Sequence, residues 1–342
     1  MQLIKNHTKY NCVIQVFVVL FLMLGYVSCT NTPETSKHEV KTENSSIEEL
    51  NAWIESKPTD AELYYRRGKL YFDQKDFEKA LSDVNQAIDL DEKNALYFFL
   101  KGRVLYALNQ TIEAAKVYEQ AIQLNPNLTE AKLLLGELYY IVKEHKKSLD
   151  VYNSILATDP KNTSALFFKG MNYKEIGDTN SAIQVFQKAF EIDPKNYDAV
   201  MQLGNLFAGY HNKIALDYYI TASRLRPKSS EPPYSAGVFY QQKKEYKLAI
   251  GMYKQALKAD ENFYPAYYNS SLINVELGQY NDAIQNLNVV IRIEPGLVDA
   301  YYMKGLCYEA LNNKEEAKIN YQYTLDLDAN HALAKKALAA LK

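Results

Sequence analysis

The sequence predicts an all-α solenoid of eight helix-turn-helix units, and two series of small residues predict it. Gly68, Gly102, Gly136, Gly170 and Gly204 lie 34 residues apart, Gly237 follows after 33 and Gly305 after twice 34, so seven of the 13 glycines share one register. About twelve residues behind runs a second series, Ala80, Ala114, Ala182, Ala215, Ala249, Ala283 and Ala317, with Ser148 in the third place. A period of this length marks stacked supersecondary units, each unable to bury its apolar face alone.

Counted from Ala61, the units are 61–94, 95–128, 129–162, 163–196, 197–229, 230–263, 264–297 and 298–331. Position 11 holds Tyr71, Leu105, Tyr139, Tyr173, Phe207, Tyr240, Asn274 and Tyr308. Position 24 holds Val84, Tyr118, Tyr152, Phe186, Tyr219, Tyr253, Leu287 and Tyr321. Position 27 is small or β-branched (Ala87, Ala121, Ile155, Ala189, Ala222, Ala256, Val290, Thr324), and position 32 is Pro126, Pro160, Pro194, Pro227 and Pro295 in five units. Gly, Tyr, Ala, Tyr or Phe, Ala and Pro at these offsets resemble the tetratricopeptide repeat, over residues 61–331 without a gap. The resemblance implies a right-handed superhelix with a concave and a convex face.

Positions 4, 8 and 11, and positions 20, 24 and 27, are three or four apart, so each set is expected to form one helical stripe facing the other. Gly at 8 and Ala at 20 let the paired helices approach, aromatics at 11 and 24 fill the space beside them, and Pro at 32 ends the second helix.

A stack needs closed ends. Ile47, Leu50, Trp53 and Ile54, followed by Pro58, predict a capping helix within 46–60, and 332–342 predicts a closing helix. Residues 29–45 hold Pro33 and a mixture of Ser, Thr, Asn, Lys and Glu with little apolar besides Val40, the composition of a flexible tether. Two places depart from the repeat. Gly204 and Ala215 are eleven apart, which puts a one-residue deletion between Gly209 and Lys213, and unit seven carries Ser271 and Asn274 where Gly and Tyr are expected, with Pro265 in its first turn. These read as a local change of curvature or a partner site, or as ordinary drift within an array.

Residues 1–28 carry Lys5 and Lys9 and no acid, then a mostly apolar run from Val13 to Val27. That run is short for a membrane span and suits the core of a secretory signal. It ends Tyr26-Val27-Ser28-Cys29, which resembles the lipobox of bacterial lipoprotein precursors and implies cleavage before Cys29 and lipid attachment there. Tyr26 departs from the aliphatic residue usual three before the cysteine, and an ordinary signal peptide or an uncleaved anchor is the other reading. Thr30 is not the aspartate that resembles an inner-membrane retention signal, and no acidic run resembling a surface-export signal follows Cys29. The expected location is the bacterial outer membrane, lipid-anchored and facing the periplasm.

The chemistry that remains is recognition. The 39 Lys and Arg nearly balance the 41 Asp and Glu, and removal of the leader moves the net charge from −2 to about −4, with no basic stripe for nucleic acid. His145, His211 and His331 lie apart at loops, three cysteines do not make a disulfide scaffold, and no phosphate loop, nucleophile elbow or H-E-x-x-H occurs, so no cofactor, metal or catalytic residue is expected. By resemblance to the family, positions 2, 5, 9, 12 and 13 of the first helices line the concave groove. Candidate partner-binding residues there are Tyr65, Phe99, Tyr106, Tyr140, Phe167, Tyr234, Tyr268 and Tyr302, with Leu133, Met201 and Phe72 in the same rows. Such rings anchor a peptide or helix at low entropic cost, and they are also ordinary repeat composition in the family. The Lys and Asn set with which chaperone adaptors of the family clamp a carboxylate is missing from any three consecutive units; Arg66, Lys69 and Arg103 make a small basic patch, offset by Glu130 and Glu137. The expected function is a non-enzymatic scaffold for protein or peptide partners in the cell envelope. A glycan- or peptidoglycan-binding module and an assembly factor for a secretion or pilus system are the alternatives.

Overall fold

The computed structural model describes residues 45–341; the leader, Cys29 and the tether up to residue 44 lie outside the described residues. Among the described residues there are eighteen α-helices and no strand. A capping helix α1 (Ile47–Ser56) precedes eight pairs. The first helices are α2 (Ala61–Asp73), α4 (Ala95–Ala107), α6 (Thr129–Ile141), α8 (Thr163–Glu175), α10 (Tyr197–Gly209), α12 (Glu231–Gln242), α14 (Tyr264–Glu276) and α16 (Val298–Ala310). The second helices are α3 (Phe77–Leu90), α5 (Thr111–Leu124), α7 (His145–Thr158), α9 (Thr179–Ile192), α11 (Ile214–Leu225), α13 (Tyr246–Ala259), α15 (Tyr280–Ile293) and α17 (Lys314–Leu327), and α18 (Ala332–Ala340) closes the stack.

Local chemistry explains where these helices start and stop. Asp60, Asn94, Asn162 and Asn196 cap first helices, and Asp76, Asp178 and Asn313 cap second helices, each side chain accepting a hydrogen bond from an orphan N–H of the first turn. Between the helices of every unit, position 15 takes a positive φ: Lys75, Asn109, Lys143, Gly177, His211, Lys244, Gly278 and Asn312. Only two of the eight are glycine, so six units hold an L-residue in the left-handed region. Between units, position 31 is Asp91, Asn125, Asp159, Asp193, Asp260 or Asp328, and its carboxylate or amide oxygen accepts from the N–H two residues on. Its backbone is extended whether proline follows, as at Asp193, or not, as at Asp91, Asp260 and Asp328. The sequence reading passed over this side-chain turn, although its Asp/Asn series keeps the same register.

The core follows the second-helix stripe as expected. Positions 20 and 27 are 0 or 1 % exposed in every unit, and position 24 is at most 3 % exposed. The first-helix stripe is corrected by one residue. Positions 3 and 10 lie deepest, as in Ala131, Ala165, Ala199, Ala266 and Ala300, and Val104, Leu138, Asn172, Ile273 and Cys307. The rings at position 11 are only half-buried, and lysines lie over four of them: Lys79 over Tyr71, Lys147 over Tyr139, Lys169 over Tyr173 and Lys304 over Tyr308. A first helix packs against the second helix of its own unit and that of the unit before, so it buries more than the one stripe that its own partner requires.

The two irregular places have local causes. The deletion in unit five falls in the first turn of α11, which has 12 residues against 14 in the other second helices, while the preceding turn keeps its positive φ at His211. Unit seven has Ser271 and Leu287 where six other units set glycine against an aromatic ring; the Ser271 hydroxyl donates to the Tyr268 carbonyl at 2.6 Å. Consecutive first helices touch, as α6 touches α8 and α12 touches α14, whereas second helices do not approach one another to the same extent. The stack therefore bends with the first helices on the inside.

Candidate functional site: the inner face of the first helices

The floor of the inner face is built by glycine. At position 8 the absent side chain makes room for the ring at position 24 of the same unit: a Cβ on Gly136 would stand 2.6 Å from Cζ of Tyr152, and one on Gly102 2.5 Å from Cε1 of Tyr118. The second-helix ring thus passes beneath the first helix toward the inner face, and the position 5 ring leans on it. Phe99 lies 6.0 Å from Tyr118, Phe167 5.8 Å from Phe186, Tyr234 5.7 Å from Tyr253 and Tyr302 5.8 Å from Tyr321, centroid to centroid.

That geometry divides the candidate residues. Phe99 and Tyr302 are buried, and Tyr302 is also covered by His331 at 4.8 Å. Tyr65, Phe167, Tyr234 and Tyr268 are half-buried; Tyr65 packs on Tyr97 at 5.1 Å, and the Tyr234 hydroxyl accepts from Asn269 Nδ2 at 3.0 Å. At position 12 Tyr106 is 38 % exposed, whereas Tyr140 is half-buried, its ring edge-on to His145 and its hydroxyl 3.5 Å from Glu175 Oε1. The structure therefore aligns these residues along successive first helices without gathering them into one pocket. Cys29 lies outside the described residues.

Polar groups vary along the same floor, and sequence reasoning did not single them out. The hydroxyls at position 24 are satisfied toward the C-terminal end: Tyr219 donates to Asn205 Oδ1 at 2.9 Å, Tyr253 to Gln241 Oε1 at 2.5 Å and Tyr321 to Glu309 Oε2 at 2.6 Å. In units two and three the hydroxyls of Tyr118 and Tyr152 are buried with no hydrogen-bond partner. Beside them sits Glu137, at position 9 of α6, whose carboxyl is held above its ordinary value by burial and is in no ion pair among the described residues. Its charge reaches the phenols of Tyr106, Tyr118 and Tyr152, although burial is the larger cause raising the pKa of each. Arg103, at position 9 of α4, is turned away onto Phe72 at 4.4 Å and Phe99 at 5.9 Å, and Arg66 is paired with Glu62 at 2.8 Å, so the small basic patch is largely occupied within the chain.

Two other polar clusters are structural. Ser148, where other units have alanine, donates to the Gly136 carbonyl at 2.7 Å and accepts from Asn172 Nδ2 at 2.9 Å, while Asn172 Oδ1 meets His145 Nδ1 at 3.1 Å. The pair joins units three and four through their cores. At the N-terminal end Arg67 binds Asp83 through two hydrogen bonds of 2.7 and 2.6 Å and donates a third to Asn51 of α1 at 2.7 Å, which keys the cap to the first unit. The Cys307 thiol is buried and pushed up to about 11 by that burial, which disfavours the thiolate. Among the described residues no group of three or more His, Cys, Asp or Glu is gathered as metal ligands, and no helix is long and apolar enough to cross a membrane.

Tetratricopeptide repeat models match residues 61–94, 163–196, 234–263, 264–296 and 298–331, and a further TPR repeat model matches 102–141; together they cover more than half of the chain. The chain belongs to the tetratricopeptide repeat family. It is 29% identical over 128 residues to BBSome complex member BBS4 of Xenopus tropicalis, 37% of this chain and 25% of that protein. It is 30% identical over 96 residues to heat shock protein STI1 of Saccharomyces cerevisiae, 28% of this chain and 16% of that one. The chain thus spans a quarter or less of the length of these two relatives. Among solved structures, the C-terminal part of a TPR repeat-containing protein from Cytophaga hutchinsonii superposes with a TM-score of 0.58 at 21% identity, covering 70% of this chain and 99% of that one. A tetratricopeptide repeat protein from Parabacteroides merdae gives 0.54 at 16% identity, covering 72% and 98%. At these identities the likeness shows the fold, an all-helical solenoid. Proteins of this family generally mediate protein–protein interactions.

Proposed function

We propose that this chain is a non-enzymatic adaptor that binds segments of partner proteins along the inner face of its first helices, and that a lipid on Cys29 holds it at the outer membrane facing the periplasm. The observation that carries the binding surface is the row of rings set on a glycine-built floor, along which Tyr106 is exposed and Tyr65, Tyr140, Phe167, Tyr234 and Tyr268 are half-buried. Rings backed by a rigid second-helix ring are preorganised, so little rotamer entropy is lost when a partner covers them. The run from Val13 to Cys29 supports the anchor. The proposal does not include carboxylate clamping, because no three consecutive units supply the Lys and Asn set and Arg66 and Arg103 are engaged within the chain.

The test is crosslinked co-isolation from native cells with wild type and with Tyr106→Ser/Tyr140→Ser. Anchors buried by a partner are worth on the order of 1–2 kcal/mol each. The double variant should melt within a few degrees of wild type and lose most co-isolated proteins. If Tyr210→Ser, at an exposed inter-helix turn, loses them instead, binding lies on the turns. Recovery of cell-wall glycan in place of protein would replace the adaptor reading with a glycan-binding one.

A further inference from the structure

We infer that the C-terminal half of the inner face, in units six to eight, takes a basic amphipathic segment of a partner protein. Its aliphatic residues lie on the row Val238, Leu272 and Leu306, and its lysines or arginines meet the carboxylates of Glu231, Glu276 and Glu309. This rests on the reading of the first-helix face as the binding surface and names the partner chemistry for one half of it.

The middle of the inner face changes character along the stack. Position 9 holds Lys69, Arg103 and Glu137 in units one to three, and Val238, Leu272 and Leu306 in units six to eight. The last three are half-buried, so each keeps an apolar edge open to a partner. Val238 packs on the core around Tyr253, and Leu306 on the core around Tyr302 and Tyr321, which holds both ends of the row in place. The units that carry the row are in contact: α12 touches α14, and α16 packs on α15 of unit seven.

Carboxylates border this row with their charge left standing. Glu231, at position 2, accepts from the Tyr197 hydroxyl at 3.2 Å, and Glu309, at position 12, accepts from the Tyr321 hydroxyl at 2.6 Å. Glu276, at position 13, accepts from the Tyr246 hydroxyl. All three residues are exposed, and none is in an ion pair among the described residues. A phenol fixes where a carboxylate oxygen lies without neutralising it. Positions 2, 5, 9, 12 and 13 of units five to eight contain no lysine or arginine, whereas Lys69, Arg103 and Lys174 stand at these positions in units one to four.

Charge complementarity selects the occupant of the apolar row. An acidic segment is repelled by the border, and a wholly apolar one desolvates carboxylates with no compensating charge. A lysine or arginine lays its aliphatic stem along apolar surface and carries its charged head out to the border. Touching helices lie about 8–10 Å apart and an extended chain advances about 3.3 Å per residue, so a segment crossing the first helices meets a new unit roughly every third residue. The expected motif therefore has aliphatic residues three places apart with lysine or arginine between them.

The test uses random dodecapeptides displayed on phage and selected on the full chain in detergent, in parallel on wild type and on Glu276→Lys/Glu309→Lys. Wild type should enrich peptides rich in lysine or arginine with aliphatic residues about three places apart. The charge-reversed chain should enrich acidic peptides and bind the wild-type peptide more weakly by a factor on the order of a hundred. Leu272→Ser should weaken that peptide on the order of tenfold. Glu276→Gln/Glu309→Gln keeps the side-chain shape and an acceptor oxygen; it should also weaken the peptide on the order of tenfold with an unchanged melting curve, which separates lost charge from lost fold. Peptides that lack basic residues, or that bind the charge-reversed chain as well as wild type, overturn the basic-segment site and leave the inner-face reading standing if Tyr106→Ser/Tyr140→Ser or Leu272→Ser weakens them. Enrichment indifferent to all these substitutions, or no enrichment at all, overturns both.

Discussion

At the scale of the residue, the repeat is a set of paired choices. Glycine at position 8 occurs wherever an aromatic ring stands at position 24, because any side chain there would run into the ring; in unit seven, where Leu287 takes the place of the ring, Ser271 fits in the same position with its hydroxyl turned to a backbone carbonyl. Ser148 is a second such choice, matched by Asn172 in the next unit. Glu137 is the residue without a match, and its titration gives a test independent of any partner. Burial raises its folded-state pKa, so the folded protein binds this proton more tightly than the unfolded chain. Stability from this group is present at low pH and lost as pH rises from the ordinary carboxylate range through the raised value, leaving a penalty at neutral pH. Glu137→Gln should therefore melt roughly one to three degrees above wild type at pH 7, and the gap should close as the solution is acidified through that range. A gap that opens on acidification would mean that an opposite charge, and not burial, governs the carboxyl.

At the scale of the element, each hairpin of helices turns on one left-handed residue. Lys75, Lys143 and Lys244 hold that conformation with a Cβ, at φ values of 64°, 62° and 60°. Lys143→Gly should raise stability by about 0.5–1 kcal/mol, because the steric cost of the left-handed conformation exceeds the entropy that glycine loses. Gly177→Ala, at φ 82° in the next unit, should lower it by a similar amount. Chemical denaturation measures both. Equal and opposite shifts support a turn fixed by the tertiary stack, and destabilisation by both variants would show that the lysine side chain itself holds the turn.

At the scale of the molecule, each unit contacts chiefly its neighbours, and the two ends are closed differently. The N-terminal cap is keyed by Arg67, Asp83 and Asn51, whereas α18 closes the other end with Ala334, Ala337 and Leu338 against Tyr302 and Tyr321. Where this stack is held is a matter for the segment outside the described residues. If Cys29 carries lipid, Cys29→Ala should shift the protein from the membrane fraction to the soluble periplasm, since several acyl chains hold far more tightly than one. Intact mass showing an unmodified N-terminus at another residue would end that proposal.

The sequence by itself determined the fold class, because glycine, alanine and aromatic series at one period leave no other way to bury their faces. It also marked the second-helix core, whose positions 20, 24 and 27 are buried in every unit. The tertiary stack decided the rest. A first helix lies between two second helices, so its deepest positions, 3 and 10, cannot be read from one stripe. Which inner-face rings support the fold and which stand free depends on the position 24 ring beneath them: Phe99 packs on Tyr118 and is buried, whereas Tyr106 on the same helix is exposed. Burial and hydrogen-bond satisfaction are properties of the assembled surroundings, and they decide which of the buried tyrosine hydroxyls at position 24 are matched by a side-chain acceptor.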